Sequence, residues 1–228
     1  MNADLIAAAR FDDLAVNYSD LLPGDRSARI LDIGCGSGRF LEYLSGLGFT
    51  QLTGVDIDEG SIAGVREKLG IRAEVINDVA GFLNEESEKY ELIIAKDVIY
   101  YFSNETLIPY LKAIRTGLSP GGILIVEVFN GAPMTGSYIK NKDYPINFVF
   151  TEHSLRSALQ DAGFQVDKLF GTRSIRKGLK RGIFNLGQAI WQSCLKFIYL
   201  VERGADEQNP TILTKTLIAA ASVPKGSG

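Results

Sequence analysis

One carboxylate and three glycines at fixed spacing carry the first chemical signal in this sequence. Asp32-Ile33-Gly34-Cys35-Gly36-Ser37-Gly38 follows a short apolar run beginning at Ile30 and precedes a helical pattern from Arg39 to Leu44. A strand that turns through glycines into a helix N-terminus brings bare backbone close to a ligand. Asp32 can accept from an ammonium group, and Gly34, Gly36 and Gly38 let a nucleoside lie flat on the loop. A dinucleotide fingerprint, Gly-x-Gly-x-x-Gly, would need a glycine at position 39. Arg39 stands there instead. A nicotinamide-dependent oxidoreductase is therefore the weaker alternative.

The elements that must position this loop alternate along the chain. Residues 2–18 carry an apolar face at helical spacing, through Leu5, Ile6, Ala9, Phe11, Leu14 and Ala15. Strands are then expected at 29–33, 51–56, 71–76, 90–95 and 123–128. Helices are expected at 39–46, 60–69, 79–84 and 104–117, the last opened by Asn104 as N-cap and containing Pro109. Ser119-Pro120-Gly121-Gly122 reads as a tight turn into the fifth strand. Phe129 to Asn147 has no strand or helix period and reads as a long functional loop. Thr151 caps a helix ending near Ala162, a sixth strand covers 164–169, and 211–220 reads as the last strand. Such alternation implies right-handed crossovers and a doubly wound sheet. The tail from Lys225 to Gly228 carries no fold signal.

Composition bounds the function more loosely. The chain has 228 residues, 46% hydrophobic and 22% charged, with a net charge of −3. This is a globular profile and gives no ground for bulk nucleic-acid binding. Cys35 and Cys194 provide neither a disulfide framework nor a metal-ligand spacing, which favours a reducing, cytoplasmic setting. Neither a signal-peptide pattern nor a membrane-spanning apolar run is present in the sequence. Charge is unevenly spread: residues 168–201 hold seven Lys or Arg and no Asp or Glu, leaving 17 basic against 27 acidic residues elsewhere, a balance of −10.

From Leu31 to Gly38 the chain resembles the first motif of the class I S-adenosylmethionine-dependent methyltransferases. Gly54-Val55-Asp56-Ile57-Asp58, a second strand ending in an acid, strengthens the resemblance, which extends over roughly residues 10–130. The resemblance implies an α/β fold: a doubly wound, mostly parallel, seven-stranded Rossmann-like sheet whose last strand enters antiparallel beside the fifth. It implies a single domain with an N-terminal helical cap (1–22), a core (23–171), a helical insertion (172–209) and a last strand (210–222). It also implies S-adenosyl-L-methionine as cofactor and S-adenosyl-L-homocysteine as product.

Residue by residue, the resemblance sets Asp32 on the methionine ammonium and the backbone of Gly34, Cys35, Gly36 and Gly38 along the cofactor. Cys35 reads as a small packed residue rather than a reactive thiol. Asp56 would hold the ribose hydroxyls, and Ile57 would lie against the adenine. Asp78 and the backbone of Val79 would meet the adenine edge, unless Asp78 only caps the following helix. Tyr18 is either near the methionine part or a packing tyrosine. The Lys96 backbone would touch the cofactor. Asp97 is a candidate general base or a structural acid. No metal is implied. Many relatives carry Glu-His where this chain has Tyr100-Tyr101, which removes an obvious imidazole base. His153 reads as a solvated first-turn residue, and Asn147 stands near where similar sequences place a histidine. Glu127, Asn130, Tyr138 and Tyr144 are further candidates for acceptor contact.

Looser motifs, Glu127-Val128-Phe129-Asn130 and the segment from Ile212 to Ala219, resemble methyltransferases of surface-polysaccharide and glycan biosynthesis. They imply a small-molecule or glycan acceptor, through a hydroxyl. The insertion pairs basic residues (Arg173, Arg176, Lys177, Lys180, Arg181) with an apolar series running from Ile183 to Leu200. It reads as a lid, a homodimer face, a helix lying peripherally on the inner membrane surface, or a buried helix with a solvated basic lead-in. A non-catalytic cofactor-binding partner protein is the remaining alternative.

Overall fold

The computed structural model describes residues 11–142, 146–175 and 179–224. Seven strands form one sheet: β1 (Arg29–Ile33), β2 (Gln51–Asp56), β3 (Arg72–Val75), β4 (Tyr90–Lys96), β5 (Leu118–Phe129), β6 (Gln165–Gly171) and β7 (Thr216–Ser222). Their order is β3-β2-β1-β4-β5-β7-β6. β7 runs antiparallel to both its neighbours, and the pairs among β1 to β5 are parallel. The doubly wound sheet with an antiparallel last strand beside β5 is thus as expected.

Helices cover both faces, so the central strands are apolar on both sides rather than alternating with polar residues. Successive side chains still point to opposite faces. Leu31, Ile93 and Ala95 pack with α4 (Val79–Glu85), α5 (Asn104–Gly117) and α7 (Glu152–Asp161). Ile30, Leu92 and Ile94 pack with α1 (Asp12–Tyr18), α2 (Arg39–Gly46) and α3 (Glu59–Leu69). Strand order reverses between β1 and β4. That reversal opens a crevice at the carboxyl ends of the strands, where ligands of open α/β sheets bind.

Several local expectations change. Of the helix expected over 2–18, the described residues hold α1, Asp12–Tyr18; residues 1–10 lie outside the described part. The cap of α5 is Ser103, not Asn104: the Thr106 hydroxyl accepts from the Ser103 N–H (2.9 Å) and closes a capping box. Ser119 to Gly122 is a bulge within β5: Leu118 pairs with Tyr90, and the ladder resumes at Ile123 opposite Leu92. The long loop after β5 contains a short helix, α6 (Gly136–Lys142). β7 begins at Thr216 rather than 211. The Asn130 side chain takes the carbonyls of Ile212 (2.8 Å) and Thr214 (2.9 Å), which removes them from strand pairing. The Thr151 cap on α7 is present, accepting from the Ser154 N–H at 3.2 Å.

The insertion forms α8, Leu179–Arg203, a helix of 25 residues. It is not a buried helix. Leu195 is 3% exposed, while Ile183, Phe184 and Phe197 are each more than 60% exposed.

Candidate active site

Three cavities meet at the carboxyl ends of β1, β2, β4 and β5. The first, about 520 Å³, is lined by Gly34, Asp56, Ile57, Asn77, Val79 and Tyr110, among others. Asp56 is held in place by two backbone donors, Gly36 N–H (2.7 Å) and Asp58 N–H (3.0 Å). Each carboxylate oxygen keeps further acceptor capacity. Ile57 is 77% exposed, an apolar side chain on the cavity wall with little of the chain over it. Val79 and Asn77 line the cavity but Asp78 does not. Its carboxylate lies over Gly81, and its backbone carbonyl accepts from the Phe82 N–H at the start of α4.

The second cavity, about 300 Å³, is lined by Asp32, Gly34, Cys35, Gly36, Lys96 and Asp97, with Leu14 and Phe40 opposite. Gly34, Gly36 and Gly38 all have positive φ (70°, 49° and 72°). A Cβ on Gly34 would strike Val98, and one on Gly38 would lie 2.7 Å from Val65. The first glycine therefore shapes the cavity wall, while the third lets α2 start against α3. Asp32 is 3% exposed. Burial pushes its carboxyl up to about 7, Asp56 adds to the rise, and Lys96 opposes it. Burial, then Asp32 and Asp56, push the Cys35 thiol up to about 12, so it stays protonated.

Tyr18 lines neither cavity. It is buried edge-to-face on Phe40 (4.8 Å between centroids), and its hydroxyl donates to the Glu127 carboxylate. Burial and then Glu127 raise its pKa, so it remains a donor. Arg39, at the position that breaks the dinucleotide pattern, binds Asp13 of α1 through two hydrogen bonds (2.6 and 2.9 Å). This pair ties the N-terminal cap to the glycine loop.

The third cavity, about 610 Å³, lies between β4, β5, β7 and α8. Lys96, Asp97, Glu127 and Lys215 provide charge, Thr135 and Thr172 hydroxyls, and Gln188, Trp191 and Gln192 a wall from α8. Asp97 lines all three cavities. It is the one non-glycine residue with positive φ (59°) among the described residues, a conformation Asp tolerates better than most. Its N–H donates to the Glu127 carbonyl (2.9 Å), which fixes the turn after β4. Oδ2 is paired with Lys96, while Oδ1 is buried and makes no hydrogen bond. Burial raises the Asp97 pKa against the pull of Lys96. Burial alone would lower that of Lys96, but Glu127 and Asp97 outweigh it and keep the ammonium charged. Glu127 also accepts from the Thr216 hydroxyl at 2.9 Å.

The other candidates sit apart from this junction. Tyr100 is buried against Phe129, and Tyr101 faces the first cavity. Asn147 donates to the Tyr101 carbonyl (2.6 Å). Asn130 is a buried structural side chain, and Tyr138 is exposed on α6. Tyr144 lies outside the described residues. His153 lines a separate hollow with Thr151, Tyr199 and Arg203. Among the described residues no cluster of His, Cys, Asp and Glu could hold a metal ion.

Sequence reasoning missed Tyr110 and the Lys96 side chain. The Tyr110 ring stacks on Phe102 (3.8 Å), the residue lines the first cavity, and its buried hydroxyl has no hydrogen-bond partner. In the sequence it is one apolar-face residue of α5, without a signal of its own. Together the glycine cradle and the buried Asp32 fit a ligand carrying a nucleoside and an ammonium group.

A methyltransferase-domain family model matches residues 6–169. The chain belongs to that family, and its domain is a class I S-adenosylmethionine-dependent methyltransferase domain. A ubiquinone biosynthesis O-methyltransferase of Roseobacter denitrificans is 30% identical over 58% of this chain and 50% of its own length. One from Dinoroseobacter shibae is 28% identical over 63% of this chain and 62% of its own. The chain thus spans about half to three-fifths of the length of these curated relatives. They are named for ubiquinone rather than polysaccharide biosynthesis. A crystal structure of an S-adenosylmethionine-dependent methyltransferase from Archaeoglobus fulgidus shares the fold, with a TM-score of 0.67 at 16% identity over 97% of this chain and all of that one. N-methyltransferase NodS from Bradyrhizobium japonicum gives a TM-score of 0.58 at 16% identity, covering 98% of each chain.

Proposed function

We propose that this protein methylates a hydroxyl of a small-molecule acceptor seated in the third cavity, with Asp97 as general base. The observation that carries the reading is Asp97 itself: the residue lines all three cavities, and one of its carboxylate oxygens has no hydrogen-bond partner. When bound, S-adenosylmethionine supplies a methyl group on a sulfonium, a centre that needs no metal activation. The chain's own task is then to hold, align and exclude water. Asp32 holds the amino-acid end, Asp56 the ribose, and Ile57 and Val79 flank the base. Asp97 takes the hydroxyl proton while Lys96 holds its carboxylate in place. Tyr18 and Thr216 fix Glu127, which in turn positions Lys96.

The relatives' names, O-methyltransferases, support oxygen as the atom alkylated. The cavity lining supports a polyhydroxylated ring, a sugar included: Trp191 offers a flat apolar face, and Gln188, Gln192, Thr135 and Thr172 offer hydrogen bonds. Free thiols at Cys35 and Cys194 support a cytoplasmic setting.

The test is transfer of label from methyl-labelled S-adenosylmethionine to a panel of phenols, sugars and nucleotide sugars. Label in an ether product is the expected result. No transfer to any hydroxyl, with label appearing on an amine instead, overturns the oxygen assignment. Cofactor binding without transfer to any acceptor would point to the non-catalytic partner role.

A further inference from the structure

Helix α8 turns a mostly polar stripe inward and most of its large apolar residues outward. The inward stripe is Asn185, Gln188, Gln192, Leu195 and Tyr199. Leu195 is buried with Ala132 and Leu213, the Tyr199 hydroxyl donates to the Ala132 carbonyl (2.8 Å), and the Ser174 hydroxyl donates to Gln188 (3.3 Å). The opposite stripe is Ile183, Leu186, Ile190, Phe197 and Val201, each 58–66% exposed. Nine of the fifteen large apolar side chains left exposed among the described residues belong to α8. A contiguous patch of this kind marks an interaction surface.

We propose that this face docks on an anionic lipid surface. Charge selects that occupant. Residues 168–201 hold seven basic and no acidic residues, and four of them, Arg176, Lys177, Lys180 and Arg181, fall within six consecutive positions of the sequence. Lys168 and Arg173 are engaged by Asp20. A second copy of this chain laid parallel along α8 would bring like charges together. Anionic headgroups neutralise them. With 25 residues, α8 is about 37 Å long. No helix among the described residues is long and apolar enough to cross a membrane. The helix therefore lies on the surface, its apolar stripe in the headgroup–acyl boundary. Trp191, half exposed at the edge of the stripe, suits that boundary. Because Gln188, Trp191 and Gln192 also line the third cavity, docking sets the cavity beside the lipid. That last consequence alone rests on the acceptor site proposed above.

Trp191 is the chain's single tryptophan, which makes its emission a direct probe. With phosphatidylglycerol vesicles the full chain is expected to sediment and its emission to shift to the blue. Phosphatidylcholine vesicles and high salt are expected to weaken both effects. The double substitution Ile190→Ser, Phe197→Ser should weaken partitioning by about tenfold or more. Its affinity for S-adenosylhomocysteine should stay unchanged, which separates this outcome from failure of the methyltransferase reading. Absence of binding to phosphatidylglycerol overturns the proposal. So does equal binding to both lipids, or a solution dimer that the same double substitution dissociates.

Discussion

Asp97→Asn lowers methyl transfer by about 10²–10⁴-fold, the usual contribution of a positioned general base. Affinity for S-adenosylhomocysteine changes little, within a few-fold. The substitution is isosteric, and asparagine tolerates the left-handed backbone that Asp97 adopts (φ 59°), so the turn after β4 persists. The amide keeps an oxygen toward Lys96 but cannot take a proton. Single-turnover kinetics at saturating cofactor separates the two quantities. Equal rates in both proteins would make Asp97 a structural acid, and the base would have to be sought elsewhere in the third cavity. Glu127, the other carboxylate there, is a poor substitute: its oxygens are already taken by Tyr18, Lys96 and Thr216.

The second large effect concerns Asp32. Its carboxyl is raised to about 7 by burial in the protein without cofactor. The cofactor's ammonium pairs with the ionised form. At pH 8 that form is already present; at pH 6 the proton must first leave. Each pH unit below about 7 then costs about 1.4 kcal/mol, or tenfold in affinity. Binding of S-adenosylhomocysteine should therefore strengthen as pH rises from 5.5 to 7.5 and level off above. Asp32→Asn should weaken binding about 10–100-fold at pH 8, the usual loss for a charged hydrogen-bond set, and flatten this pH dependence. Titration calorimetry across that range measures both. A wild-type affinity that is flat between pH 5.5 and 7.5 would separate Asp32 from the ammonium.

The sheet and the cofactor crevice were legible because local signals state them directly. Ile30 to Gly38 gives strand, turn and helix start within nine residues, and Asp56 ends the next strand. Alternation implies a doubly wound sheet, and the family resemblance adds the antiparallel last strand beside the fifth. Boundaries depending on distant partners were not legible. Nothing near Thr211 indicates that Asn130, some 80 residues earlier, takes two carbonyls and delays β7 to Thr216. Likewise, nothing local shows that Leu118 to Ile123 keeps pairing with β4 through a bulge.

Side-chain roles set by tertiary packing were equally hidden. Lys96 signalled only a strand end, yet its ammonium joins Asp97 to Glu127. Asp97 was visible as a candidate, but its unpartnered oxygen was not. The apolar series of α8 was plain in the sequence, whereas its outward orientation was not. Amphipathic spacing fixes which residues share a face, not which way that face turns.

The central claim is that a nucleoside rests on bare main chain between Asp32 and Gly38 while Asp56 grips its ribose. Titration calorimetry of S-adenosylhomocysteine into wild type and Asp56→Ala at pH 8 tests it most directly. The account predicts binding by wild type and a loss of about 1–3 kcal/mol in the variant, a weakening of roughly 5–150-fold. Equal affinities in the two proteins would contradict it.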